Sequence, residues 1–319
     1  MRTNCLEAAV LGIAVCLAVT GCEHESATSS KLFFGQISAG KWHSCRVKID
    51  NSVACWGRND YGQSTPPEDS FEQVDVGYCH SCGVKTDGSV ACWGSTMFGE
   101  SAPPTGAFEQ VSAGTFFTCG LRTDGSVECW GKDNLMEENI ILYPPPDGIF
   151  VQISVGSRHR CGIKTDSTVV CWGLYIDAPP PIPPEGTFEQ VSAGERHSCG
   201  LRTDGTIACW GGDDHGQSTP PAGTFTQVSA GERHTCGVKT DGTIACWGWD
   251  KYGQSIPPAG AFEQVSAGST HTCAIATDGS VICWGYNLYD LTPPPAVTFG
   301  HVSAGGKIEC WGATTIPWN

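Results

Sequence analysis

The tripeptide Cys-Trp-Gly occurs eight times in this chain, beginning at Cys55, Cys92, Cys129, Cys171, Cys209, Cys246, Cys283 and Cys310. Successive spacings are 37, 37, 42, 38, 37, 37 and 27 residues. A period of that size is one supersecondary unit copied in tandem, and no single copy can bury its own apolar faces. Positions shared by every copy belong to the scaffold. Function is expected where the copies diverge.

One complete copy, residues 225–248, reads FTQVSAGERHTCGVKTDGTIACWG. Its alternation predicts three short strands, 227–230, 234–239 and 243–247. Gly231 separates the first two, and Thr240-Asp241-Gly242 turns the second into the third. A three-residue loop closing on a left-handed glycine pairs 238 with 244 and 236 with 246. Cys236 and Cys246 then lie directly opposite, at a non-hydrogen-bonded site where side chains approach most closely. That separation suits a disulfide. Seven such pairs are expected: Cys45–Cys55, Cys82–Cys92, Cys119–Cys129, Cys161–Cys171, Cys199–Cys209, Cys236–Cys246 and Cys273–Cys283. Each closes a small loop, which stabilises by roughly 2–3 kcal/mol. The turn glycine is replaced by Asn51 in the first copy and Ser167 in the fourth. Serine is poorly suited to positive φ, so the fourth turn is expected to be the most strained.

A metal site is the rival reading of these cysteines. His234-x-Cys236 with Cys246 offers three zinc-type ligands, and the His recurs as His43, His80, His159, His197 and His271. Phe117 replaces it in the third copy, however, and seven equal zinc sites in an oxidising compartment have little physical motive. The histidines are expected instead to hydrogen-bond backbone within the blade. Cys79 and Cys310 fall outside the seven pairs and are read as free thiols or as a bond to each other.

Arg2 precedes an apolar run from Ala8 to Val19, too short to span a bilayer. Val19-Thr20-Gly21-Cys22 looks like a bacterial lipobox, which implies a signal peptide over 1–21 and lipid on Cys22; a plain secretory signal is the alternative. Residues 22–31 read as a flexible tether and 32–319 as the ordered body. A net charge of −15 argues against nucleic acid and against an anionic membrane surface as partners of the body. The expected location is the bacterial cell envelope, with membrane contact only through the lipid.

Stacking copies buries the faces of the blades, and closing the stack into a ring removes exposed sheet edges. The expectation is all-β: a seven-bladed β-propeller of short three-stranded blades, with a fourth strand per blade left open. Residues 299–319 form a truncated eighth repeat, read as a clasp on the first blade in preference to an incomplete eighth blade. The pattern Val-Ser-Ala-Gly-x-x-His-x-Cys-Gly, Thr-Asp-Gly, Cys-Trp-Gly, Gly-Gln and Pro-Pro, repeated over 35–312, resembles the regulator-of-chromosome-condensation repeat family. It looks like the short, secreted bacterial branch, which includes the β-lactamase-inhibitor propeller. That resemblance implies target binding through loops on one face. The nucleotide-exchange role of the eukaryotic member is set aside because of the export signal, the acidity and the short repeats.

The Gly-x-x-His connection and the segment after Trp-Gly are expected at one end of the blade, called the top, and both vary between copies. The first supplies Trp42, Phe116, Arg158, Arg196 and Arg233. The second supplies Tyr61, Phe98, Tyr143, Tyr175, His215, Trp249, Tyr252, Tyr286 and Tyr289. Aromatic and Arg side chains on a rigid frame are what protein-recognition surfaces use, so these fourteen are the candidate partner-binding residues. The competing reading is that some of the rings pack back over neighbouring blades. The sequence contains no Gly-x-Ser-x-Gly, no phosphate-cradling loop and no His-Glu-x-x-His. The expectation is a monomeric binder of a surface or envelope protein, with no cofactor, metal or catalytic residue assigned. A carbohydrate-binding or carbohydrate-processing propeller, an inhibitor of a secreted enzyme and a structural envelope component are the alternatives.

Overall fold

The computed structural model describes residues 36–132, 143–173 and 182–291. The expected signal peptide, Cys22, the expected tether, residues 133–142 of the longer third copy, Tyr175, the partial eighth copy and Cys310 lie outside these residues. Seven three-stranded antiparallel sheets form seven blades, spanning 37–57, 71–94, 108–131, 150–173, 188–211, 225–248 and 262–285. In blade six the inner strand is Phe225–Ala230, the middle strand His234–Lys239 and the outer strand Ile244–Gly248. The inner strand begins two residues earlier than expected because a bulge at Thr226 lets Phe225 pair with Lys239.

The hairpin register is the one the turn requires. Cys236 pairs with Cys246 and Val238 with Ile244, and the same register recurs in every blade. All seven expected disulfides are present, with Cα–Cα separations of 4.0–4.1 Å. With their sulfurs bonded to each other, the cysteine pairs supply no metal ligands. Asn51 and Ser167 hold the turn at φ of 62° and 65°, where other blades use glycine. Each turn Asp accepts the amide of the residue two positions on, as Asp241 does from Thr243.

The core lies between blades. Cys82 and Val84 of blade two pack on Phe108, Val111 and Trp130 of blade three, and equivalent clusters fill the other interfaces. The last cluster joins Cys273 and Ile275 of blade seven to Ile37, Ala39 and Trp56 of blade one. The ring therefore closes by direct contact between the seventh and first blades. No room is left there for an eighth blade.

Two polar rings stitch the inner strands together. A Gln of each blade accepts the amide of a residue in the next, and Gln73, Gln110, Gln152 and Gln227 also donate to that residue's carbonyl: Gln73 accepts from the Val111 amide at 2.7 Å, and its Nε2 donates to the Val111 carbonyl at 2.7 Å. The ring runs through all seven blades and closes where the Ile37 amide donates to Gln264. Nearer the top, a Ser hydroxyl accepts the amide of the next inner strand, as Ser266 does from Ala39. Blade two carries Asp75 in that position, accepting from Ala113 and from the hydroxyls of Ser38 and Ser112. Desolvation there holds its carboxyl above the ordinary carboxylate range.

A third contact corrects the expected role of the histidines. Nδ1 of His43, His80, His197, His234 and His271 has no hydrogen-bond partner, so these rings do not bond backbone of their own blade. His80 Nε2 meets the Thr118 hydroxyl of the next blade at 2.8 Å, and that hydroxyl donates to the Glu100 carbonyl. The imidazole is thus the donor, in its neutral Nε2–H form. Six blades make this contact. Burial holds His43, His80, His159 and His234 at a pKa of about 3, and His197 and His271 at about 4.

Candidate functional site

Among the described residues, the segments after Trp-Gly in blades one, two, five, six and seven have a buried foot and a more exposed tip. The foot is the Gln of Gly-Gln. Gln63 is fully buried, and its carbonyl accepts from Ser81 Oγ and Trp93 Nε1 of the next blade. Gln217 and Gln254 do the same for blades six and seven. Glu100 serves blade three, and the Leu291 carbonyl accepts from Trp56 of blade one. The Gln side chain also accepts the amide two residues earlier, at Tyr61, His215 and Tyr252; Glu100 does so for Phe98.

That geometry places Tyr61, Phe98, His215, Tyr252 and Tyr289 at equivalent points of five blades. All five were candidates from the sequence. Four of them lean onto the next blade. His215 meets Trp249 at 6.1 Å, Tyr252 meets Tyr286 at 4.5 Å, Tyr289 meets Trp42 at 5.7 Å and Phe98 meets Phe116 at 5.0 Å. Trp249 also sits edge-on to Tyr252 at 5.5 Å. The two variable segments share one end of each blade: the Trp249 amide donates to the Arg233 carbonyl, and the Arg58 amide to the Trp42 carbonyl.

The candidates therefore join into an arc of half-exposed rings from blade five through blades six, seven, one and two to blade three. Part of each ring is packing and part faces solvent, so the two readings of these aromatics hold at once. Arg233 reaches the arc, 5.8 Å from the Trp249 ring. Arg158 and Arg196 make no ring contact to it among the described residues. Tyr143 is 39% exposed, on the third copy's longer segment.

Three residues in the arc escaped selection from the sequence. Arg58 lies 5.8 Å from the Tyr289 ring and 6.0 Å from that of Tyr61. Lys41 lies over Tyr78 at 4.7 Å and over Trp42 at 5.9 Å, so it bridges blades one and two. All three sit at varying positions of the repeat, which is the signal that could have found them. Cys79, beside Tyr78, is disulfide-bonded and not a free thiol.

The inner strands surround a central channel lined by the Ser-Ala-Gly ends of the blades, with a volume of about 170 Å³. Ligand pockets run to roughly 300–1,000 Å³ and are mostly apolar, so the channel is a poor host for one. Blades approach so closely there that a Cβ on Gly77 would collide with the Gly114 carbonyl.

Six segments match the family described as Regulator of chromosome condensation (RCC1) repeat: residues 36–63, 71–99, 108–135, 188–217, 225–254 and 262–290. The fourth blade, with Ser167 and Arg160, is outside the matched segments. No curated protein matches the chain in sequence. Among solved structures, the CRINKLY ectodomain of the Arabidopsis thaliana receptor kinase ACR4 is 28% identical, with a TM-score of 0.65, covering 80% of this chain and 97% of that one. The ectodomain of the Physcomitrella patens receptor kinase CR4 is 25% identical, with a TM-score of 0.67, covering 79% and 73%. Prp20p of Saccharomyces cerevisiae shares the fold at 18% identity, with a TM-score of 0.61, covering 73% and 80%.

Proposed function

The chain belongs to the regulator of chromosome condensation (RCC1) repeat family, and on that premise we propose that it is a lipid-anchored envelope protein that binds another protein through the top face of its propeller. The aromatic arc carries this reading. Its rings are half-exposed, seated on a disulfide-braced frame, and fixed by buried Gln feet, so little side-chain entropy is lost when a partner docks. Seven disulfides fit an oxidising compartment. The two plant structures are themselves receptor ectodomains. Residues 1–21 would be removed as a signal peptide and Cys22 lipidated, with 22–31 as the tether. No helix among the described residues is long and apolar enough to cross a membrane.

The test places a photo-crosslinking residue at Trp42 or Trp249 on the top face, or at Ser89 or Thr243 beside the bottom turns, in intact cells. The expected result is one discrete adduct from the top probes alone. Equal capture from both faces, or none from the top, overturns the reading. Palmitate labelling of wild type against Cys22→Ser tests the anchor independently.

A further inference from the structure

The arc is not electrostatically uniform. After Trp-Gly, blades five, six and seven carry the tips 211–217, 248–254 and 285–291. These hold Asp213, Asp214, Asp250 and Asp290 against the single cation Lys251. The connections beneath them supply Glu195-Arg196 and Glu232-Arg233, which cancel. Asp213 and Asp250 are occupied as turn caps, accepting the amides of Ser218 and Ser255. Asp214 and Asp290 are exposed and pair with no cation among the described residues.

Between these carboxylates runs the densest part of the arc: His215, Trp249, Tyr252 and Tyr286, each in ring contact with the next. The rings already attract cations from the chain itself. Lys251 Nζ lies 5.3 Å from the Tyr252 ring and Arg233 lies 5.8 Å from that of Trp249. Ring faces with free carboxylates at both ends favour a positively charged ligand by two additive effects, the ring quadrupole and direct charge attraction. The rest of the arc differs in charge, because the one carboxylate of the blade-one tip, Asp60, is paired with Arg58. A net charge of −15 on the chain steers the same class of partner toward it.

We propose that blades five to seven take an arginine-bearing segment of the protein partner, its guanidinium groups stacking on Trp249, Tyr252 and Tyr286 and its charge met by Asp214 and Asp290. This rests on the top-face reading and adds the chemistry of the partner. Arginine is preferred over lysine because its planar group stacks on rings while pairing with a carboxylate.

The probes are synthetic peptides of alternating Arg-Gly, Lys-Gly, Ser-Gly and Glu-Gly of equal length, titrated against the mature chain by fluorescence anisotropy. Arg-Gly should bind tightest, with an affinity that falls as salt rises. Asp214→Asn with Asp290→Asn should weaken it roughly tenfold, and Tyr252→Ala with Tyr286→Ala at least as much. The Asn pair changes exposed positions without changing shape, so unfolding curves should match wild type. Equal binding of Arg-Gly and Ser-Gly overturns the inference, as does an unchanged affinity in the Asn pair. Cell-surface crosslinking through Trp42 and Trp249 that persists undiminished in the Asn pair sinks the charge assignment and leaves top-face binding standing. Absence of any top-face adduct removes the top-face reading itself.

Discussion

Blades three and four meet at the interface where the histidine–hydroxyl contact is missing, and both of its halves have changed together. Phe117 stands where six blades have His, and Arg160 stands where the facing blade has Ser or Thr. Both are fully buried or nearly so, with the guanidinium 4.1 Å over the Phe117 ring. Changing one partner alone should be costly. Arg160→Ser removes a desolvated cation–π contact, about 2 kcal/mol, and leaves a void. A total loss of about 3–4 kcal/mol is expected. Phe117→His alone takes that contact from the guanidinium and puts a smaller, polar ring in its place, at about 3–4 kcal/mol. Combined, Phe117→His with Arg160→Ser rebuilds the pair found at the other six interfaces, and the net loss should be only about 1 kcal/mol. The coupling energy is then several kcal/mol, far above the roughly 0.5 kcal/mol scatter of independent sites. Urea unfolding of the four proteins under non-reducing conditions reads it directly. Each single variant should melt roughly 6–16 °C below wild type, at about 2–4 °C per kcal/mol for a domain of this size. Additive losses in the double variant would refute the reasoning.

Acid should destabilise the fold steeply. The six buried histidines have folded pKa values of about 3 to 4 against an ordinary imidazole value of 6.5, so below pH 6.5 the unfolded chain binds protons first. Their contribution is complete above that pH and is lost as pH falls toward 4, with a slope of up to roughly 8 kcal/mol per pH unit for six groups. The turn carboxylates, held low by bonds to the following Ser or Thr, add to the loss at lower pH still, and Asp75, held high, opposes it. A melting temperature that stays level between pH 7 and 4.5 would contradict this. Ser167→Gly should stabilise by about 0.5 kcal/mol, since relief of the left-handed serine outweighs the added chain entropy; the measurement is chemical denaturation, and no gain would count against strain at that turn. Gln227→Ala should cost about 1–3 kcal/mol by stranding both the amide and the carbonyl of Val265. Its neighbour Thr226→Ala, at the exposed bulge, should change stability little, and equal costs for the two would deny the glutamine ring its role.

Apart from the bulge that starts the inner strand early, the layout of one blade was legible in the sequence. Strand positions, turn register and the seven disulfides follow from ten-residue spacings, because a tight turn fixes which residues face each other across two short strands. Seven full copies could be counted and a ring expected of them, but whether the partial eighth copy made a blade of its own could not be read. Aromatics in the variable segments could be named, but not how they touch. The histidine was misread because its partner is not local: His80 and Thr118 are 38 residues apart, one whole repeat, and only the packing of blade on blade aims one at the other. The same holds for the glutamine ring, for the direct closure of blade seven on blade one, and for Phe117 with Arg160. The aromatic arc belongs with them, because each ring leans on the next blade and the buried Gln foot beneath it is fixed by a Trp one repeat away. The repeat by itself determined the units and their internal bonds. What passes between units, and with it the continuous top surface, was decided by the ring that the units close.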